Sequence, residues 1–254
     1  MKPKIKSAGH LAFSVALIAL GIMGLVKGNF TPVWEPVPKG VPAREALVYL
    51  CAAISLACGL GLLIKRTAVI AARILLAYIF LWFLIFRVPD LFLKPSVEGS
   101  WSGCGETAVM VAAAWILYGR GIRIARILYG LALLPFGAAH FIYLKNTASL
   151  VPAWLPGHMF WAAFTGGAFI AAGLAIITGV LARLAAALSA IEIGLFTLLV
   201  WGPILAAGTK DPYSWSEAIL SAALTTGAWV VADSYRSAAL TTASRLVSNS
   251  SRVK

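Results

Sequence analysis

Long runs of apolar residues alternate along the chain with short segments rich in charge, Gly and Pro. Eight runs come close to the roughly 20 residues that an α-helix needs to cross ~30 Å of hydrocarbon. Backbone groups in lipid must be paired within the protein, so runs of this length predict helices and exclude barrel strands. The predicted spans are 9–27, 45–64, 67–86, 103–119, 125–144, 158–180, 183–207 and 214–233.

Basic residues divide unevenly between the two sides that eight spans would create. The N-terminus, the turns at 65–66, 120–126 and 183, and the C-terminal tail share one side, which carries 14 of the 21 lysines and arginines when Arg73 is counted with it. The positive-inside rule therefore places both termini in the cytoplasm, and we expect the cell inner (plasma) membrane. Tryptophans of the longer outer loops are predicted to form an aromatic belt: Trp34, Trp101, Trp154 and Trp215.

Composition agrees with a membrane protein. Hydrophobic residues make up 61% of the 254 residues and charged residues 12%, with a mean hydropathy of +0.89. Soluble domains have about 25% charged residues, so the surplus apolar surface is expected to face lipid. The net charge of +12 is explained by orientation and by contact with anionic lipid. The lipid bilayer is thus the expected partner, and nucleic acid is not.

An internal repeat divides the chain. Pro32-Val33-Trp34-Glu35-Pro36 recurs 120 residues later as Pro152-Ala153-Trp154-Leu155-Pro156, and further pairs follow at an offset of 114. These pairs are Gly59 with Gly173, Pro89 with Pro203, Trp101 with Trp215 and Trp115 with Trp229. Four spans per copy keep the copies in the same direction. The prediction is two tandem parallel four-helix bundles, 1–119 and 120–233, followed by a polar cytoplasmic tail at 234–254 that is either poorly ordered or a surface helix.

A family resemblance is visible in the second half. The stretch 137–141 (Gly-Ala-Ala-His-Phe), the segment 149–156 and the small-residue helix 165–173 resemble the DoxX-like family of four-helix membrane proteins. The match is clearest over 125–207 and degenerate over 9–119. The resemblance implies a four-helix membrane unit and, as in some members, association with sulfur or thiol oxidation linked to quinone.

Glu192 is the most anomalous residue of the predicted spans. It lies nine residues into the seventh span, about 13 Å from its inner end and thus near the midplane. A charge there is costly, so the carboxyl should be protonated, paired or turned toward a polar interior. One interpretation is a carboxyl that handles protons or binds a ligand. The other is a protonated carboxyl that forms a structural hydrogen bond with the hydroxyl of a residue such as Thr165 or Ser221.

Histidines and a tryptophan near the outer end are further candidates. His140 could bond a quinone carbonyl or relay protons, or it could bond the loop backbone. His158 lies on the same side, and His140 and His158 as a pair could ligate haem, although the two do not share a helix at a ligand spacing. Trp154, in the adjoining loop, is the fourth ligand-binding candidate, and no metal site is predicted.

Other polar residues favour structural roles. Three acidic residues are each predicted to begin a helix that starts on the outer side, where a carboxylate complements the helix dipole: Glu45, Glu106 and Glu217. The alternative is that they form a charged outer vestibule. Arg73 is expected to extend to the inner surface. Cys51, Cys58 and Cys104 are expected to be buried thiols, although a Cys51–Cys104 disulfide is conceivable.

Three functions follow from these features. No phosphate-binding loop or catalytic triad is visible, so any enzyme activity would need a partner subunit or a bound quinone. The first hypothesis is a DoxX-like subunit or scaffold associated with quinone-linked membrane redox chemistry. The second is a small-solute or proton transporter or channel that uses Glu192. The third is a structural subunit of a larger membrane complex.

Overall fold

The computed structural model describes residues 7–250, and the side chains of residues 7–236. This part of the chain is helical and contains no strand. The helices are α1 (Ala8–Lys27), α2 (Arg44–Leu63), α3 (Ala68–Leu93), α4 (Glu98–Tyr118), α5 (Ile122–Ile142), the short α6 (Leu144–Ser149), α7 (His158–Thr178), α8 (Ala182–Ala206) and α9 (Pro212–Ser250). One π-helical turn interrupts α3 at Phe83–Arg87 and another interrupts α8 at Thr197–Trp201.

Six helices are long and apolar enough to cross a bilayer: α1, α2, α3, α5, α7 and α8. Their outer faces carry many exposed large apolar side chains, such as Val26, Ile70, Phe164 and Leu198. Such faces are suited to lipid and not to water. The chain is a multi-pass α-helical membrane protein.

The two remaining long helices lie at the centre of the bundle. Neighbours pack in the ring α1, α2, α3, α4, α5, α7, α8, α9 and back to α1, and α4 also packs on α9 across the middle. In α4 the six residues Val109–Ala114 are fully buried, which means that protein surrounds this stretch on every side. A helix shielded from lipid tolerates polar residues, and this explains why α4 and α9 are less apolar than the other six.

The ends of the bundle differ in chemistry. At one end His10 Nε2 lies 2.8 Å from the carbonyl oxygen of Leu62, and Arg126 donates to Ser234 Oγ at 2.9 Å. The short connections 64–67, 119–121 and 179–181 lie at this end, which we call the basic end. At the other end, the loop end, Lys27 donates to the carbonyl oxygen of Pro212 at 2.7 Å. Successive long helices therefore run in alternating directions between the two ends.

Glycines allow the first two long helices of each half to approach closely. A side chain at Gly21 would collide with Leu56 of α2, and one at Gly59 would collide with Ile18 of α1. The second half has similar close approaches, with Gly137 against Ile170 and Gly173 against Leu134. Small residues at such crossings bring backbones into van der Waals contact, which is how helices associate in lipid.

Corresponding helices of the two halves begin 114 residues apart. This holds for α1 and α5, α2 and α7, α3 and α8, α4 and α9, and for both π-helical turns. The loop after the first helix spans 28–43 in one half and 143–157 in the other, so its length hardly changes. The Pro-Trp motifs are offset by 120 because the second motif lies farther along its loop than the first motif does. The start of the second loop is occupied by α6.

The two central helices begin earlier than the sequence predicts. We expected spans from residues 103 and 214, whereas α4 begins at Glu98 and α9 at Pro212. Asp211 caps α9 by accepting hydrogen bonds from the Ser214 hydroxyl and from the backbone N–H groups of Ser214 and Tyr213, and these bonds lower the pKa of Asp211. The prediction that Glu106 and Glu217 begin helices was therefore wrong for both, whereas Glu45 does lie in the first turn of α2.

One expectation about the aromatic belt needs correction. Trp34 was placed in the outer aromatic belt, but it is 1% exposed because its loop folds inward between α2 and α3. Trp101, Trp154 and Trp215 are exposed, as a belt requires. The segment after Asp233 continues α9 as far as Ser250, and the last four residues lie outside the described part of the chain.

Candidate functional site

A cavity of about 580 Å³ lies in the second half, toward the loop end. Its walls come from α7, α8 and α9. At the loop end it is lined by α6 and the loop that follows, and α4 contributes Glu106. The volume falls within the range of small-molecule sites, ~300–1,000 Å³. Most lining side chains are apolar, with a few carboxyl and hydroxyl groups among them.

Three carboxyl side chains from three helices line this cavity: Glu106, Glu192 and Glu217. Two of them have basic neighbours. Arg87, which is 5% exposed, lies against Gly103 one turn before Glu106, and Glu106 is its strongest electrostatic partner. Lys27 attracts Glu217 and bonds the hydroxyl of Ser216 next to it.

Glu192 lacks such a partner. Its Oε1 is buried and has no hydrogen-bond partner among the described residues, and no described basic side chain attracts it as Arg87 and Lys27 attract the other two carboxyls. The two hydroxyls proposed as structural partners are engaged elsewhere: Thr165 Oγ1 bonds the carbonyl oxygen of Trp161 at 2.9 Å, and Ser221 Oγ lies 2.7 Å from Thr197 Oγ1. An unsatisfied carboxyl oxygen beside a cavity is a ready hydrogen-bonding group for a ligand.

The π-helical turn of α8 shapes the wall below the loop end. Its first residue, Thr197, bonds Ser221 and Thr225 of α9 through hydroxyls at 2.7 and 2.8 Å. A π-helical turn contains one more residue than an α-helical turn, which changes the direction of the side chains within it. Leu199, Val200 and Trp201 of this turn line the cavity, as does Phe196 just before it. The hydroxyl bonds hold this irregular turn against α9.

The cavity extends to the lipid-facing surface between α7 and α8. The lining residues Phe164, Leu188, Ile191 and Leu195 are each about half exposed on the outside of the bundle. These side chains are apolar, so the route between them suits a molecule that arrives from the hydrocarbon layer. A water-soluble substrate would have to desolvate to enter here.

Toward the basic end the cavity is closed. Tyr129 of α5 is fully buried, and its hydroxyl lies 2.9 Å from Ser189 Oγ, one turn before Glu192. Ala186 and Ala190 are also fully buried at this level. These buried side chains separate the cavity from the basic end of the bundle.

His140 lies beside the cavity without lining it. Its Nδ1 is 2.7 Å from the carbonyl oxygen of Phe136, and its ring packs between Phe169 and Phe196, with centroid distances of 5.5 and 5.9 Å. Phe196 lines the cavity, so His140 supports the wall from behind.

The other two sequence candidates are also outside the lining. Trp154 is 70% exposed at the loop surface, and His158 is the first residue of α7. The structure thus brings only Glu192 of the four candidates into the cavity. Within residues 7–250, no group of three or more His, Cys, Asp or Glu is arranged to hold a metal, and Cys51, Cys58 and Cys104 are free thiols.

Comparison of the chain with protein-family models, with curated proteins and with solved structures gives no match.

The sequence does not identify several of the lining residues as ligand contacts. Glu106 and Glu217 were assigned to helix starts, with a charged vestibule only as the alternative, and Phe196 was not singled out. The signal for the two carboxyls was present, since each is an acidic residue in an otherwise apolar run. Phe196 is one of twelve phenylalanines, and no sequence pattern distinguishes it.

Proposed function

We propose that this membrane protein binds a lipophilic small molecule, which enters the cavity from the bilayer between α7 and α8. The observation that carries the proposal is the unpartnered Oε1 of Glu192 in a cavity whose walls are mostly apolar. A ligand with an apolar body and one polar group would satisfy this oxygen. Its body would replace lipid contacts with protein contacts at little cost.

The proposed setting is eight membrane crossings in two tandem parallel four-helix bundles, with both termini in the cytoplasm of an inner-membrane protein. The shared offset of 114 between helix starts supports two copies of one unit. The alternating directions of the eight long helices support eight crossings, with α4 and α9 shielded by the other six. In this setting the cavity mouth lies in the outer half of the bilayer.

The DoxX-like resemblance extends the proposal to a role. A quinone or quinol is lipophilic and carries oxygen atoms that can bond a carboxyl group, so it belongs to the class of ligand that the cavity suits. The protein would then present this molecule to a redox partner subunit. His140 would act by holding Phe196, because its ring lies behind the cavity wall.

Cavity filling tests the binding proposal. Ala168 lines the cavity, so Ala168→Phe should block it, whereas Ala171→Phe on the exposed face of α7 should not. We expect mass spectrometry of the purified proteins in nanodiscs to find a lipophilic molecule with the wild type and Ala171→Phe, and at least tenfold less with Ala168→Phe. Equal amounts of every lipid-soluble molecule in all three samples would refute the proposal.

Glu192 also favours a second candidate function, the passage of a proton or a small solute. The unpartnered carboxyl near the middle of α8 is the observation in its favour, and the closed end at Tyr129 is against it. Proteoliposome flux that is present in the wild type and lost in Glu192→Gln would support passage. No flux in the wild type would leave binding as the function.

A further inference from the structure

The first half of the molecule contains a filled counterpart of the cavity. At the shared offset of 114, Glu192 corresponds to Tyr78, Phe196 to Trp82 and Thr165 to Cys51. The register is fixed by the π-helical turns, since Tyr78 and Glu192 each lie five residues before the turn of their helix. The four-helix unit therefore places these side chains in equivalent positions.

In the first half, aromatic rings occupy this position. The Tyr78 ring packs on Trp82 with centroids 5.7 Å apart and planes 30° apart, and its hydroxyl lies 3.9 Å from Cys51 Sγ. Trp34 lies edge-on to both rings, at 5.5 Å from each. Its indole N–H donates to Ser55 Oγ at 3.1 Å, and its carbonyl oxygen accepts from the Trp82 indole at 2.8 Å.

The second half lacks these two rings. A carboxyl replaces the phenol at Glu192, and the motif tryptophan, Trp154, lies exposed in the loop because α6 displaces the motif. His140 takes over part of the Trp34 position by packing on Phe169 and Phe196, which correspond to Ser55 and Trp82. The space that corresponds to the Tyr78 ring is the part of the cavity between Glu192, Thr165 and Phe196.

We propose that the cavity binds a molecule with a flat, hydroxyl-bearing aromatic ring, which stacks on Phe196 and bonds Glu192 as an external substitute for the missing phenol. This inference rests on the proposed function and names the ligand class for the same site. A phenolic hydroxyl both donates and accepts, so it pairs with Glu192 in either protonation state. The cavity is larger than one ring, and the remainder, between Leu188, Ile191 and Leu195, holds an apolar tail directed to the lipid.

Ring recognition is tested with full-length protein in nanodiscs and four probes: 2-naphthol, decahydro-2-naphthol, naphthalene and 1-decanol. Binding is measured by titration calorimetry. The heat measured with Ala168→Phe nanodiscs is subtracted, because it reports partition of the probe into lipid. Aromatic stacking is worth about 0.5–1.5 kcal/mol, so 2-naphthol should bind roughly two- to twelvefold more tightly than its saturated analogue. Naphthalene should bind more weakly than 2-naphthol because it cannot bond Glu192.

Two phenylalanine variants locate the effect. Phe196→Leu should remove the preference for 2-naphthol over the saturated alcohol, whereas Phe160→Leu, at an exposed site on α7 outside the cavity lining, should retain it. Glu192→Leu should bring 2-naphthol down to the affinity of naphthalene.

The outcomes separate this inference from the proposed function. If all the alcohols bind equally and Ala168→Phe abolishes their binding, the cavity is a lipophilic site but the ring inference is wrong. If 2-naphthol keeps its preference in Phe196→Leu, the ring is recognised elsewhere and the inference also fails. If no probe binds more to the wild type than to Ala168→Phe, both proposals fail.

Discussion

At the scale of single residues, the hydroxyl pair Tyr129–Ser189 lies at the side of the cavity that faces the basic end. Both side chains are buried, and their oxygens are 2.9 Å apart between α5 and α8. Ser189 also bonds the carbonyl oxygen of Ala186, whereas Tyr129 has no other described hydrogen-bond partner. Without this bond the Tyr129 hydroxyl would have no described partner, whereas the Ser189 hydroxyl would keep one.

Removing Ser189 should cost more than removing both partners. Ser189→Ala leaves the Tyr129 hydroxyl buried without a partner, which costs about 1–3 kcal/mol, and adding Tyr129→Phe removes the stranded hydroxyl. We expect thermal unfolding in detergent to show the larger loss of stability for Ser189→Ala alone. A double variant that is less stable than Ser189→Ala would show that the bond does not act in this way.

The sequence allowed prediction of Glu192 but not of its surroundings. A single acidic residue inside a long apolar run is visible without coordinates, and it indicates an unusual carboxyl. Its missing partner depends on how Thr165 and Ser221 orient, and those hydroxyls bond a backbone carbonyl and Thr197 instead. Trp34 and Trp154 have the same local motif, and only the position within each loop decides which ring is buried.

At the scale of helices, the contact between α5 and α7 depends on glycine. A Cβ at Gly137 would lie 2.5 Å from Ile170 Cγ1 and 2.6 Å from the carbonyl oxygen of Gly166, whereas a Cβ at Gly167 would meet nothing within 4 Å. The two glycines lie on facing helices, but only Gly137 points into the crossing. They form a matched pair for mutation.

Alanine at these two positions should have opposite effects. Gly137→Ala forces α5 and α7 apart, and overpacking of this kind costs about 1–3 kcal/mol. Gly167→Ala should be neutral or stabilising by up to about 1 kcal/mol, because alanine favours helix over glycine. Thermal unfolding of the two purified variants checks the contrast. Equal loss of stability in both would mean that the glycines do not set the helix separation.

Six of the long helices were predictable because hydropathy reports contact with lipid. The remaining two, α4 and α9, touch mainly protein, so their limits follow from packing and capping, and both begin before the predicted residue. The π-helical turns in α3 and α8 leave no mark in the apolar pattern either. Only the backbone shows these two turns, and only the turn in α8 contributes side chains to the cavity.

At the scale of the whole molecule, the two halves exchange equivalent contacts. The last helix of each half packs on the first helix of the other, α4 on α5 and α9 on α1, and the two last helices meet each other. Such an arrangement is expected of two like-oriented copies related by an axis along the bundle. The first half fills its interior with its own aromatic rings, and the second contains a cavity. Under the proposed function, the first half stabilises the fold and the second binds the ligand.

Accessibility of single cysteines on the two sides of the membrane tests this account most directly, because its central claim is that α4 crosses the bilayer between two like-oriented halves. The three native cysteines are first replaced, and one cysteine is then introduced in each variant. The positions are Lys94 just before α4, Arg123 at the start of α5 and Lys145 just after α5. A membrane-impermeant thiol reagent added to intact cells should label positions 94 and 145 and leave position 123 unlabelled until the cells are opened. Labelling of position 123 together with position 94 in intact cells would contradict the account.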